Sequence, residues 1–139
     1  FYEAKIKGTK EVMCWGTGSP KREFLFVDDL ADAAIFVLEK VSKKNKHLYD
    51  NENNFNGIIN VGSGTEISIK DLAKLVSSIV GYEGKIIWDL SKPDGTPRKL
   101  LDISRLNKIG WKSKTTLQEG IAITLKNYIH ELETKKIRF

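Results

Sequence analysis

Gly57-Ile58-Ile59-Asn60-Val61-Gly62, followed at Ser68 by Ile69-Lys70-Asp71-Leu72-Ala73-Lys74-Leu75-Val76-Ser77-Ser78-Ile79-Val80-Gly81, is the stretch that assigns the fold class. A short apolar run between glycines predicts a strand buried on both faces of a parallel sheet. Ser68 is a capping hydroxyl, Asp71 three residues on makes a weaker form of the capping box, and Ile69, Leu72, Ala73, Val76, Ile79 and Val80 form one apolar stripe. Gly81 supplies the left-handed residue that ends such a helix. A buried strand leading into an amphipathic helix predicts an α/β protein.

Toward the C-terminus, Lys85 to Leu90 reads as another strand, carrying Ile86, Ile87 and Trp88. It runs into Ser91-Lys92-Pro93-Asp94-Gly95-Thr96-Pro97-Arg98-Lys99-Leu100-Leu101-Asp102. Two prolines and the Asp-Gly turn dipeptide should hold this loop in one shape before any ligand arrives, which lowers the ordering cost of binding. Lys92, Arg98 and Lys99 then suit an anion such as a phosphate; the alternative is a surface turn with solvated cations. Asp102 begins a short helix closed by Gly110, and Trp111 is expected in the core. Thr116 with Glu119 reads as a capping box for a last helix whose Leu117, Ile121, Leu125, Tyr128, Ile129 and Leu132 form one face. Lys135 to Phe139 is expected to fray.

Toward the N-terminus, the run from Ser42 to Asn56 is rich in lysine and asparagine and has no period, so it predicts an exposed loop without a role for His47. Before it, Leu30, Ala31, Ala34, Ile35, Leu38 and Val41 predict one buried helix face, with Asp28-Asp29 as capping carboxylates and not a catalytic pair. Lys21 to Val27 is expected as a strand centred on Phe24, Leu25 and Phe26. Gly16-Thr17-Gly18-Ser19-Pro20 is a turn, since no helix pattern and no third glycine follow to make it a dinucleotide fingerprint. Glu11 to Trp15 predicts a short strand with Val12 and Cys14 on one face and Met13 and Trp15 on the other. Residues 1–7 read as a helix tail stopped by Gly8.

The 139 residues carry 23 cations against 18 acids, scattered and not in a block, which weighs against a nucleic-acid-binding protein and leaves an anionic small molecule as the natural partner. Cys14 is the only cysteine, so an internal disulfide and a cysteine-rich metal centre are excluded and the cytoplasm is the default compartment. No apolar run approaches the ~20 residues of a membrane span. The chain opens on Phe1-Tyr2-Glu3-Ala4-Lys5, the interior of a helix with no initiator methionine, so a piece of a longer chain is expected.

The sequence contains no Gly-x-Gly-x-x-Gly opening a helix, no Gly-x-Ser-x-Gly elbow, no Tyr-x-x-x-Lys pair and no carboxylate pair in an acid/base setting. One flat aromatic, Trp15, and the cations Arg22, Lys85 and Lys99 are what a nucleotide sugar needs: a base stacks on an indole, and a diphosphate takes paired positive charge. Trp15 is otherwise a core residue, the commoner place for a tryptophan at a strand end.

Trp15 to Asp29, Ile59-Asn-Val-Gly-Ser-Gly64, Val80-Gly-Tyr-Glu-Gly84 and Ser91 to Asp102 together resemble the C-terminal part of the GDP-L-fucose synthase family, over nearly the whole chain from Phe1 to Tyr128. Arg22-Glu23-Phe24, Val27-Asp28-Asp29 and Asn60 to Gly64 are shared across extended short-chain dehydrogenases; the Asp94 to Lys99 run narrows the resemblance. It implies an NADPH-dependent 3,5-epimerase and 4-reductase that turns GDP-4-keto-6-deoxy-D-mannose into GDP-L-fucose, with an N-terminal NADP-binding Rossmann domain, a C-terminal substrate-binding portion corresponding to residues 1–139, and a homodimer. The family's catalytic and cofactor residues all lie upstream, so the resemblance assigns none here, and Cys14 is not its epimerisation cysteine. It implies GDP-sugar contacts at Trp15, Arg22, Lys85 and Lys99. At Lys85 the family also has arginine, and Arg98 either helps or braces the loop. The helix after Asp28-Asp29 and the strand Ile58 to Val61 are expected to pack on the missing Rossmann domain. The alternatives are a GDP-deoxyheptose reductase or epimerase, and a non-catalytic nucleotide-sugar-binding module.

Overall fold

The computed structural model describes residues 1–50 and 52–134; the expected fraying of Lys135 to Phe139 lies outside them. In chain order the elements are α1 (Tyr2–Ile6), β1 (Glu11–Trp15), β2 (Lys21–Glu23), α2 (Val27–Lys40), a 3-10 turn (Lys46–Leu48), β3 (Glu66–Ser68), α3 (Ile69–Val80), β4 (Lys85–Asp89), β5 (Arg98–Lys99), α4 (Ser104–Ile109) and α5 (Leu117–Glu133). This is the α/β content that the sequence predicts. The described residues form two compact units, interleaved in sequence: residues 1–22, 67–98 and 117–134, and residues 23–50, 52–66 and 99–116.

In the first unit β1 and β4 pair in parallel, from Glu11 opposite Lys85 to Trp15 opposite Asp89. Val12 and Cys14 are half-buried while Met13 and Trp15 are 65% and 72% exposed, so the alternation follows the period of two. Helix α3 begins and ends where its residues dictate. Ser68 Oγ accepts the Asp71 N–H at 3.0 Å and donates to Asp71 Oδ2 at 2.6 Å, and Gly81 takes φ +69°. Its stripe packs toward α5, with Ala73 and Val80 buried. The N-terminal segment is tied in by Lys5 Nζ on the Val80 carbonyl (2.8 Å) and by Tyr82 Oη on the Thr9 carbonyl (3.0 Å). Residue Lys21 of β2 donates its N–H to the Pro97 carbonyl at 2.9 Å, and Ile69 donates to the Pro20 carbonyl at 2.9 Å, so β5 and β3 flank β2.

In the second unit Ala33, Leu106 and Trp111 form the core, with Leu25, Phe36, Val37, Ile59 and Val61 packed against it. Trp111 is the expected core aromatic, and its Nε1 donates to Asp32 Oδ2 at 2.8 Å. Gly110 ends α4 at φ +113°, and the Asp102 carboxylate accepts the Ser104 N–H at 2.9 Å just ahead of it.

Five sequence expectations are corrected here. The strand expected over Lys21 to Val27 stops at Glu23, and α2 already begins at Val27. Asp28 and Asp29 therefore lie in the first turn, behind Phe26 as N-cap, and do not cap it. The buried Asp29 instead accepts the N–H groups of Lys114 (3.0 Å) and Thr115 (2.9 Å) and the Thr115 hydroxyl (3.1 Å). Of the expected stripe, Leu30, Ala31, Ala34, Ile35 and Leu38 are exposed, with Leu38 at 84%, and only Val41 is half-buried, because the core side of α2 is Asp29, Ala33, Phe36 and Val37. Ile58 to Val61 is no strand: Ile59 and Val61 meet the core, Ile58 is 73% exposed, and its carbonyl is taken by Arg105 Nη1 at 2.6 Å and not by a neighbouring strand. Finally, the run from Ser42 to Asn56 is not featureless. Leu48 is buried, and Tyr49 and Phe55 pair across a bridge with their rings edge to face at 5.5 Å.

Candidate substrate site at the carboxyl ends of a parallel pair

Ligands of parallel sheets bind beyond the carboxyl ends of the strands, where the connecting turns gather. In the first unit that edge holds Trp15 at the end of β1, the turn over residues 16–20, and the loop that follows β4. Trp15, Gly18, Pro20, Arg22, Ile69, Pro93, Asp94 and Gly95 line a cavity of about 90 Å³. Whole-ligand pockets run to several hundred Å³, so this cavity is too small to enclose a nucleotide sugar by itself.

Side-chain hydrogen bonds tie the loop to the neighbouring turn. Asp94 Oδ1 accepts the Thr17 N–H at 2.8 Å, and Oδ2 accepts the Thr17 hydroxyl at 2.6 Å. The Thr17 hydroxyl, then its N–H, and then Ser19 hold the Asp94 carboxyl below its ordinary value, against a smaller opposing effect of desolvation. Gly16 is required twice: its φ is +75°, and a Cβ would collide with Asp94 Oδ1. Arg22 Nη1 donates to the carbonyls of Thr96 (2.7 Å) and Lys21 (2.6 Å), so Arg22 itself braces the loop. Its other nitrogens remain to meet an anion. Lys92 Nζ stands 5.7 Å from the Trp15 ring centroid, putting a cation on one indole face.

Of the four contacts the resemblance implies, the structure brings Trp15 and Arg22 together around one cavity. Lys85 lies at the opposite end of the pair, roughly 13 Å away along the strand for four residues of rise. It shares a face with Trp15, and exposed Met13 stands between them, so one ligand reaches both only by running along that face. Lys99 is exposed on β5 and belongs to the second unit. The sequence reading missed Asp94 as more than a turn residue and Thr17 and Ser19 as its partners; the signal for them was a carboxylate in one loop and two hydroxyls in a glycine-rich turn.

The turn over residues 16–18 leads through Pro20 into β2 and not into a helix, so it forms no dinucleotide cradle and these residues do not fit a nicotinamide cofactor. Among the described residues no group of three or more His, Cys, Asp or Glu is placed to hold a metal ion, and no helix is long and apolar enough to cross a membrane.

The profile of the NAD dependent epimerase/dehydratase family matches residues 2–62. GDP-L-fucose synthase 1 of Arabidopsis thaliana is 50% identical over 93% of this chain. The chain spans 36% of the length of that relative. Among solved structures, a GDP-6-OMe-4-keto-L-xylo-heptose reductase from C. jejuni is 38% identical with a TM-score of 0.80, over 88% of this chain and 34% of that one. A GDP-mannoheptose C4 reductase from Campylobacter jejuni with NADP bound is 36% identical with a TM-score of 0.69, over 86% of this chain and 32% of that one. These likenesses relate the chain to the NAD dependent epimerase/dehydratase proteins, whose profile covers residues 2–62, and make it similar to the C-terminal part of GDP-L-fucose synthases.

Proposed function

We propose that the chain is the GDP-sugar-binding part of an NADPH-dependent epimerase/reductase that converts GDP-4-keto-6-deoxy-D-mannose to GDP-L-fucose. The observation that carries this reading is the exposed indole of Trp15 beside Arg22 and the braced 91–97 loop, at the carboxyl ends of β1 and β4. Trp15 offers a stacking face, Arg22 the donors for a diphosphate, and Lys85 and Lys99 further positive charge. Hydride comes from NADPH held by an upstream Rossmann domain, and no catalytic residue is assigned to this chain. The bare stripe of α2, with Ile58, is the surface on which that domain packs, in keeping with the 36% share of the relative's length that the chain spans. The intact protein is read as a cytoplasmic homodimer.

The test is NADPH oxidation by the full-length protein supplied with GDP-4-keto-6-deoxymannose; no turnover overturns the reading. The likeness to two heptose reductases favours a second reading, reduction of a GDP-4-keto-heptose. A higher kcat/KM for the heptose than for the 6-deoxyhexose would decide for it. Trp15 is tested separately by titrating GDP and recording indole fluorescence: quenching in the wild type that disappears in Trp15→Phe supports stacking, and identical traces return Trp15 to a structural role.

A further inference from the structure

Asp94 stands apart from the cations of its loop because its carboxylate is already spent on the protein. Both oxygens are turned onto the 16–20 turn: Oδ1 to the Thr17 N–H (2.8 Å), Oδ2 to the Thr17 hydroxyl (2.6 Å), with Ser19 Oγ at 3.5 Å from Oδ2. The two elements it joins carry the site between them. Trp15 precedes the turn, Arg22 follows it, and Pro93, Asp94 and Gly95 close the cavity from the other side. Arg22 repeats the tie from its own side through Thr96, and Gly95 leaves room for it, since a Cβ there would stand 3.1 Å from Arg22 Nη2.

We propose that Asp94 is a positioning residue for the GDP-sugar: it clasps the β1 turn to the β4 loop and so fixes Trp15 and Arg22 at the spacing that the nucleotide diphosphate needs. This rests on the GDP-sugar reading above. An ionised carboxylate only accepts, so one side chain takes an amide and a hydroxyl at once. Fixing the loop beforehand removes its ordering from the cost of binding. The clasp does not need the charge itself. Asparagine keeps one oxygen for the Thr17 N–H and turns an amide donor to the Thr17 hydroxyl, whose own proton then goes to Ser19 Oγ, 2.7 Å away. Alanine keeps neither bond.

The experiment is steady-state kinetics of full-length wild type, Asp94→Ala and Asp94→Asn, with amide hydrogen exchange at Thr17 measured without sugar. Asp94→Ala should raise KM for GDP-4-keto-6-deoxymannose about tenfold, leave kcat and the KM for NADPH within about twofold, and be rescued to within about threefold by Asp94→Asn. Thr17 amide exchange should speed up by about tenfold in Asp94→Ala and stay near wild type in Asp94→Asn. An asparagine variant as impaired as alanine overturns the proposal, because the charge would then be acting on the ligand. Unchanged Thr17 exchange in Asp94→Ala overturns the clasp whatever the reaction is. Faster exchange in a protein whose wild type oxidises no NADPH with this sugar supports the clasp and overturns the functional reading instead.

Discussion

Helices α2 and α3 carry the same kind of signal and meet different fates. Each has an apolar stripe at three- and four-residue spacing; that of α3 packs toward α5 with Ala73 and Val80 buried, and that of α2 stands open, with Leu38 at 84% exposure. The difference lies in what each helix has to cover. The apolar residues of α3 are drawn on by one packing partner, whereas α2 has a second, inward side, Ala33, Phe36 and Val37, which the core of its unit takes. A helix apolar on two sides can be covered on both, and only the inward side of α2 is covered among the described residues.

The contrast can be broken or sharpened by measurement. The largest effect belongs to the side of α2 that is covered: Trp111→Ala should destabilise the full-length protein by about 3–5 kcal/mol, through lost packing and the lost hydrogen bond to Asp32, as read by urea denaturation. Next comes the open side. If the upstream domain covers it, Leu38→Ala in the full-length protein costs about 2 kcal/mol or more, and an unshifted midpoint breaks that expectation and makes the exposure permanent.

Asp29 follows, since it ties the first turn of α2 to the backbone of Lys114 and Thr115. Burial pushes its pKa up, but the hydrogen bonds from Thr115 and Lys114 outweigh this and leave it below the ordinary 3.8. A depressed carboxyl contributes stability that is present above its unfolded value and lost as pH falls through the folded one. Asp29→Ala should therefore cost about 1.5–3 kcal/mol near neutrality, the range for charge-assisted bonds, and the gap to wild type should close on acidification below about pH 4. A gap independent of pH would assign the loss to packing. The smallest effect is at α3: Ser68→Ala should cost about 1 kcal/mol through the lost cap, visible as a small shift in thermal midpoint. An effect as large as that of Trp111→Ala would mean that α3 owes its place to its cap and not to its stripe.

Local signals were read correctly where their cause is local. The bounds of β1, the cap at Ser68, the left-handed Gly81 and Gly110, and the burial of Trp111 each depend on a few neighbouring residues, and each came out as their chemistry dictates. The end of β2 was misread because Phe24 to Phe26 look equally apolar in a strand and in the approach to a helix. In the site, Trp15 and Arg22 were legible as residue types. Their bracing was not, since Asp94 reaches Thr17 across 77 residues and Arg22 reaches Thr96 across 74.

The sequence by itself determined the element types, the caps and stops, and the pairing of a flat aromatic with cations, because propensity, turn chemistry and charge are carried by single residues and their near neighbours. Only the tertiary structure decided which apolar face is covered, that Ile58 to Val61 lies against the core without a ladder, and that Asp29 binds the backbone of Lys114 and Thr115. It also decided that Lys85 and Trp15 stand at opposite ends of one strand pair while Asp94 closes the loop over the turn. These are choices of partner, and a partner far along the chain leaves no mark in the local pattern of the residue that meets it.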